Sequence, residues 1–158
     1  MVVINFSNEE VSYAFDQGKK RHYAKDKSFR EKSSVKIKDA KSKHESHSIG
    51  FLGELAWAKF TNQKVDTAIY AVRDSGEDFA GTEVKTITYY GEGEPELKIP
   101  KAEFEKRKSV QNYVLVRINT SNLNKVELLG TISRSDFFKN KVVPVSSEIE
   151  SLKKKHKV

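Results

Sequence analysis

The sequence predicts a mixed α/β domain in which helices pack against a central sheet of four or five strands. Two early segments carry apolar residues at spacings of three and four, the pattern of a helix with one buried face. Later segments are rich in β-branched and aromatic residues, as strands are. The length of 158 residues suits one domain with a hydrophobic core.

The first helix is predicted from Ser7 to about Lys27. Ser7 is the expected N-cap and Glu10 follows three residues later, so the two residues can satisfy each other's backbone amides in a capping box. The apolar face that follows consists of Val11, Ala14, Phe15 and Gly18. Residues 30–43 are rich in Lys and Ser, and we expect them to form a mobile basic connection.

The second helix is predicted from about His44 to Phe60. Its apolar face consists of Ile49, Leu52, Ala56 and Phe60. Gly50 and Gly53 each cost roughly 1 kcal/mol relative to Ala in a helix interior, so they indicate that the helix comes close to a neighbouring element there. Residues 62–63 are expected to end the helix.

Strands are predicted over Val65–Val72, in the second arm of a hairpin that spans residues 77–90, and over Tyr113–Ile118 and Val126–Ile132. The run from Tyr113 to Val116 is apolar without alternation, which is typical of a central strand covered on both faces.

Two short helices complete the prediction. The first follows Pro100, and three of its side chains are expected to turn inward: Ala102, Phe104 and Val110. The second is capped by Ser133 or Ser135. The basic end of the chain, residues 151–158, is expected to fray.

The net charge is +7, which favours a polyanionic partner because each neutralised phosphate releases counterions. DNA, duplex or branched, is the first expectation, and a basic surface with no dedicated partner is the alternative. The side chains expected to contact nucleic acid are Lys19, Lys20, Arg21, Lys36, Lys38 and His47.

Missing residue patterns exclude or disfavour other functions. The chain has no cysteine, which excludes disulfides, thiolate zinc sites and cysteine nucleophiles. His44 and His47 are spaced like a metal-ligating pair, but no third ligand follows at a matching spacing, so we interpret them as surface or DNA-facing residues. No G-x4-G-K-[ST] phosphate loop occurs. Without a signal-peptide pattern or a long apolar run, we expect a cytoplasmic protein with no membrane partner.

The segment 76–86 reads G-E-D-F-A-G-T-E-V-K-T and predicts a tight hairpin. With residues 80–81 at the centre of the turn, Asp78 lies opposite Glu83, with Cβ atoms roughly 4.5 to 5.5 Å apart. Lys85 points to the same face as Glu83, because side chains alternate along a strand. The hairpin is therefore predicted to bring two carboxylates and an ammonium group together.

This combination predicts a site for Mg²⁺, which prefers carboxylate oxygens, water and substrate phosphate. Asp78 and Glu83 would hold the metal, and Lys85 would orient or activate a water and offset charge during phosphodiester hydrolysis. Asp74 is the alternative first acid, although the same register places it more than ~10 Å from Glu83. A bulge at Gly81 would shift that register by one residue. The alternative is an exposed hairpin with ordinary solvent-facing charges.

The motif D-F-A-G-T-E-V-K-T, preceded by G-F-L-G-E-L-A-W-A-K-F on a predicted helix, resembles the PD-(D/E)xK nuclease superfamily. The resemblance spans about Ile49 to Ile132 and implies a restriction-endonuclease-like core. It identifies Glu54, Asp78, Glu83 and Lys85 as the catalytic set, with the three acids as metal ligands. Mg²⁺ is the implied cofactor, and Mn²⁺ is expected to substitute. Glu77 stands where the family often has proline, and the spacing from Asp78 to Glu83 is short for the family.

The resulting expectation is a single nuclease domain. It comprises a basic N-terminal part (1–43), a catalytic core (44–140) and a basic tail (141–158). The predicted activity is that of a metal-dependent DNA endonuclease acting as a homodimer, since cutting both strands of a duplex needs two sites. Two alternatives remain open: a nucleic-acid-binding module of the same fold without catalysis, and a structure-specific junction resolvase.

Overall fold

The computed structural model describes residues 1–29, 40–63, 79–88, 95–141 and 149–152, with side chains described in 1–20, 45–63, 79–88 and 95–141. The elements are β1 (Val2–Asn5), α1 (Asn8–Phe29), α2 (Ala40–Thr61), β2 (Thr82–Ile87), β3 (Leu97–Pro100), α3 (Lys101–Lys106), β4 (Asn112–Ile118), β5 (Lys125–Ser133), α4 (Arg134–Asn140) and β6 (Ile149–Leu152). Among these residues, no helix is long and apolar enough to span a membrane.

The main sheet has four strands in the order β1-β5-β4-β2. Strand β2 pairs with β4 in parallel, whereas β4 with β5 and β5 with β1 are antiparallel, so the sheet is mixed. Strands β3 and β6 form a separate antiparallel pair. The predicted mixed α/β plan, with a four-stranded sheet and flanking helices, is confirmed. Strand β4 is central, and its run from Tyr113 to Val116 is fully buried as predicted.

Helices α1 and α2 cover one face of this sheet, while α3, α4 and the β3-β6 pair cover the other. The first layer buries Phe51, Leu52 and Ala56 against Val84, Val114, Val116 and Leu128. The second layer buries Phe104, Val110 and Phe137 against Tyr113, Leu115, Leu129 and Ile132. Because side chains alternate along β2, Val84 belongs to the first layer, and Glu83 and Lys85 face the second.

The predicted start of α1 is confirmed. Ser7 N–H donates to Glu10 Oε1 at 3.0 Å, and Glu10 N–H donates to Ser7 Oγ at 3.2 Å, which completes the capping box. The hydrogen bond from the Ser7 backbone lowers the pKa of Glu10, and the Lys59 ammonium adds to this effect. The interaction therefore stabilises the folded state above the ordinary carboxyl pKa and is lost as the pH falls through the lowered value.

The end of α2 is also confirmed, but its start is earlier than predicted. Asn62 adopts φ of 54°, and Gln63 N–H donates to Ala58 O at 2.9 Å, the arrangement of a Schellman C-cap. The helix begins at Ala40, so residues 40–43 are helical and do not belong to a connection.

Other details differ from the sequence expectation. Ala102 is exposed, because α3 ends after six residues and only Phe104 within it is buried. Ser133, not Ser135, caps α4 by accepting from Asp136 N–H at 3.2 Å. Residues 151–152 belong to β6 instead of a frayed tail. The short strands β1 and β3 were not predicted, and the predicted strand 65–72 lies outside the described residues.

Two glycines of the helical layer allow close approach between elements. A Cβ on Gly53 would lie 2.1 Å from Thr86 Oγ1, so α2 sits directly against β2 there. A Cβ on Gly18 would lie 2.3 Å from the Ser48 backbone, where α1 and α2 meet. A Cβ on Gly50 would meet no atom within 4 Å. The expected close approach is therefore right for Gly53 and wrong for Gly50.

We predict opposite effects for alanine at the two glycines of α2. Gly53→Ala forces its methyl group into Thr86 and should lower the free energy of unfolding by about 1–3 kcal/mol. Gly50→Ala meets nothing and should raise it by roughly 0.5–1 kcal/mol through helix propensity. Urea unfolding of both variants measures the difference. Adding Thr86→Ala should restore most of the loss caused by Gly53→Ala, and a Gly53→Ala protein as stable as wild type would contradict the packing.

Candidate functional site

The tight turn before β2 is present as predicted. Phe79 and Thr82 exchange backbone hydrogen bonds of 3.0 and 2.9 Å, with residues 80–81 between them. Gly81 has φ of 72°, which a side chain disfavours and the third position of a type II turn requires. Asp78 and Asp74, the two candidates for the first acid, lie outside the described residues.

The turn is tied to the start of β4. The Gly81 carbonyl accepts from the backbone N–H groups of Gln111 and Asn112, at 2.8 and 3.0 Å. This contact sets the parallel register in which Glu83 pairs with Tyr113 and Lys85 with Leu115. The E-x-K segment is therefore held at both its turn and its strand.

Glu83 and Lys85 come together in the second layer. Lys85 Nζ lies 3.2 Å from Glu83 Oε1, and both side chains face α3. Only 8% of the Glu83 side chain and 23% of the Lys85 side chain are exposed to solvent. The predicted pair is thus a half-buried ion pair and does not resemble the solvent-facing charges of an ordinary hairpin.

Two residues that the sequence analysis did not single out, Glu103 in α3 and Arg107 at its C-cap, complete a four-residue ion network. Lys85 Nζ donates to Glu103 Oε1 at 2.8 Å. Arg107 Nη1 donates to the same Glu103 oxygen at 2.8 Å and to Glu83 Oε1 at 3.3 Å. Glu103 and Arg107 are four residues apart, the spacing at which side chains meet across a helical turn, and this spacing is the only sequence signal that pointed to them.

The four side chains of the network differ in their exposure to solvent. The two acids are the least exposed, with 8% for Glu83 and 17% for Glu103, and Arg107 is the most exposed at 28%. Burial raises the pKa of Glu103, but the hydrogen bond from Lys85 and the charges of Lys85 and Arg107 lower it, and the pKa lies below the ordinary value.

Arg134, the first residue of α4, holds α3 in position. Its guanidinium donates to the carbonyl oxygens of Phe104 and Arg107 and to the Tyr113 hydroxyl, and it stacks 4.0 Å from the centre of the Phe104 ring. Carbonyl groups at the end of a helix lack partners within the helix, and Arg134 supplies them for α3. Burial is the main cause that raises the pKa of Tyr113 to about 12, so its hydroxyl stays neutral.

Glu54 is buried on α2, with 8% exposed, and belongs to the opposite layer. Its neighbour Gly53 lies against Thr86, on the face of β2 that does not carry Glu83 and Lys85. The structure therefore joins Glu83 with Lys85 and places Glu54 on the other side of strand β2.

The predicted nucleic-acid contacts are described only in part. Lys19 and Lys20 are exposed on α1, with Lys20 paired to Asp16 at 3.2 Å, and His47 is half-buried on α2. All three therefore belong to the helical layer opposite the ion network. The predicted contacts whose side chains lie outside the described residues are Arg21, Lys36 and Lys38.

The acids of the network have the donor chemistry that Mg²⁺ requires. Within residues 1–20, 45–63, 79–88 and 95–141, no three His, Asp or Glu side chains form a group able to hold a metal ion. Glu83 Oε1 nevertheless lies 3.2 Å from the Lys85 ammonium and 3.3 Å from the Arg107 guanidinium, so this carboxylate already faces cations. A hard divalent cation takes carboxylate oxygen ligands, and Glu83 therefore fits it.

Comparisons of the chain with protein-family models, with curated proteins and with solved structures found no match.

We predict that the guanidinium of Arg134 cannot be replaced by another cation. Arg134→Lys keeps the charge but loses the planar group that reaches three oxygen atoms and stacks on Phe104. The free energy of unfolding should fall by about 2 kcal/mol, as expected for several lost hydrogen bonds and a stacking contact. Urea unfolding measures the change, with the exposed Lys139→Arg on α4 as the control. Equal stability of Arg134→Lys and wild type would show that α3 is held by other contacts.

Proposed function

We propose that the protein is a Mg²⁺-dependent nuclease that hydrolyses phosphodiester bonds within DNA. The observation that carries the proposal is the half-buried E-x-K pair, in which Glu83 and Lys85 lie 3.2 Å apart directly after a tight turn. Burying a carboxylate and an ammonium costs desolvation energy, and such pairs in a stable fold are candidates for chemistry.

The strand order around the pair supports a restriction-endonuclease-like core. Strand β2 carries the pair, the short strand β3 and then α3 follow, and β4 returns parallel to β2. In the superfamily that the sequence resembles, the E-x-K strand is likewise followed by a helix and another strand. The two agree in the order of elements for this part of the chain.

Each residue has a proposed role. Glu83 holds the metal together with Asp78, and Lys85 orients a water molecule and offsets the negative charge that develops on the phosphate. Glu54 enters the proposal through the family resemblance alone. When bound, Mg²⁺ polarises the phosphoryl oxygen and lowers the pKa of a bound water. Mn²⁺, which accepts the same oxygen ligands, should replace Mg²⁺.

DNA is the proposed partner because the chain carries a net charge of +7. The basic residues that contact the DNA backbone are proposed to include Lys19, Lys20, Arg21, Lys36, Lys38 and His47. Action on both strands of a duplex would use two copies of the chain, and we propose a homodimer.

Cleavage assays test the proposal. Purified protein should cut DNA with Mg²⁺ and not with EDTA, and supercoiled, linear, single-stranded and four-way-junction DNA together identify the preferred substrate. Glu83→Gln and Lys85→Ala should each lower kcat by roughly 100-fold or more, because each removes a group that acts in the transition state. Glu127→Gln is the matched control, since Glu127 forms a half-buried ion pair with Arg117 at 2.7 Å outside the network.

Circular dichroism and thermal unfolding must show that the variants remain folded. Metal-dependent cutting that Glu127→Gln retains and the two site variants lose supports the nuclease. If wild type binds every DNA substrate and cuts none of them with Mg²⁺ or Mn²⁺, the catalytic proposal is wrong and a binding module of the same fold replaces it.

A further inference from the structure

We infer that Glu103 is a positioning residue for Lys85, an inference that rests on the proposed nuclease function. Glu103 lies on α3, outside the E-x-K motif, and no part of the sequence analysis assigned it a role. Its carboxylate accepts a hydrogen bond from the Lys85 ammonium and so fixes the direction in which Lys85 can act on water and phosphate.

The contact with Glu103 is the shorter of the two that hold Lys85. The distance from Lys85 Nζ to Glu103 Oε1 is 2.8 Å, and that to Glu83 Oε1 is 3.2 Å. Charge-assisted hydrogen bonds at the shorter distance are strong and directional. An ammonium group has three N–H donors, and contacts with two carboxylate oxygens restrict the direction in which the remaining donor points.

Glu103 is suited to this role because its own position is fixed. Arg107 Nη1 donates to the oxygen that accepts from Lys85, at 2.8 Å, and Arg107 N–H donates to the Glu103 carbonyl at 2.9 Å. Arg134 in turn bonds the carbonyl groups of Phe104 and Arg107. A chain of contacts therefore connects the Lys85 ammonium to α4 through one short helix.

Glu103 also separates the tasks of the two acids. If Glu83 alone held Lys85, the same carboxylate would have to serve the metal and the ammonium. With Glu103 as the hydrogen-bond acceptor, Glu83 can bind the metal while Lys85 keeps its place. The inference therefore predicts that Glu103 affects turnover and leaves metal affinity unchanged.

Steady-state kinetics of Glu103→Gln test this division. The substitution keeps the shape of the side chain and removes its charge, so we expect kcat to fall about 10-fold or more, consistent with misplacement of a reacting group. KM for DNA and the Mg²⁺ concentration for half-maximal rate should stay within about 2-fold of wild type. Glu127→Gln, which breaks an ion pair of similar burial, should change none of these values.

A double variant distinguishes positioning from general loosening of the site. If Glu103 acts through Lys85, Glu103→Gln should lower kcat in wild type and have no further effect in a Lys85→Ala background. A full additional loss in that background would overturn the inference. A rise of 10-fold or more in the Mg²⁺ requirement would also overturn it, because Glu103 would then be a metal ligand.

A second readout is independent of activity. Reductive methylation with formaldehyde and cyanoborohydride, followed by peptide mass spectrometry, reports how tightly each lysine amine is held. The Lys85 rate should rise several-fold in Glu103→Gln relative to Lys59, which donates to the Asn5 carbonyl at 2.8 Å and serves as an internal reference. Glu127→Gln should leave the ratio unchanged. An unchanged ratio in Glu103→Gln would show that Glu103 does not hold the ammonium.

The two proposals can fail separately. If wild type cuts DNA and Glu103→Gln cuts equally well, the nuclease stands and the positioning role is wrong. If wild type cuts nothing, the proposed function is wrong, and the positioning role falls with it even where methylation shows that Glu103 anchors Lys85.

Discussion

The parallel pairing of β2 with β4 is the constraint on which the four-residue ion network depends. Parallel strands cannot be joined by a tight turn, so the chain must cross over between them, and it does so through β3 and α3. The crossover places α3 above the face of β2 that carries Glu83 and Lys85. Hydrogen bonds from Gln111 and Asn112 to the Gly81 carbonyl set the register of the pair. The E-x-K motif therefore meets Glu103 of α3 and Arg107 at the end of α3 because of topology.

The ion network contains two acids and two cations, and this balance of charge reduces the cost of burying it. An isolated carboxylate as buried as Glu83 would carry a large desolvation cost, whereas two cations bridge it to a second carboxylate here. Networks of this kind often contribute little to net stability, and apolar replacements can be as stable. The balance thus explains how the fold accommodates the network, and the proposed chemistry explains why the network is there.

Much of the fold followed from local patterns, and most of the misses involve long-range contacts. The capping box at Ser7, the end of α2 at residues 62–63 and the buried run in β4 each depend on neighbouring residues, and each was predicted. Strands β3 and β6 have only four residues apiece, too few for a periodic signal, and they pair residues as distant in sequence as Leu97 and Leu152.

The same distinction holds at the site. Glu83 and Lys85 were predicted to share a face because a strand has a period of two residues. Glu103 and Arg107 were missed because their part in the network depends on how α3, within the crossover, packs through Phe104 and Arg134. A sequence motif reveals side chains that lie on one strand, but it does not reveal a partner that lies on a different element.

The acids of the network are less exposed to solvent than its cations, and this difference affects how a site with two carboxylates could bind a polyanionic substrate. Carboxylates at the surface would repel phosphate, but Glu83 and Glu103 lie beneath Lys85 and Arg107, which are the more exposed pair. A phosphate that approaches from solvent would therefore meet a guanidinium and an ammonium before either acid. Because the planar guanidinium can bond two phosphate oxygens at once, Arg107 is well suited to that first contact. In the proposed nuclease, this depth order would leave the Glu83 carboxylate for a cation below and the Lys85 and Arg107 donors for an anion above.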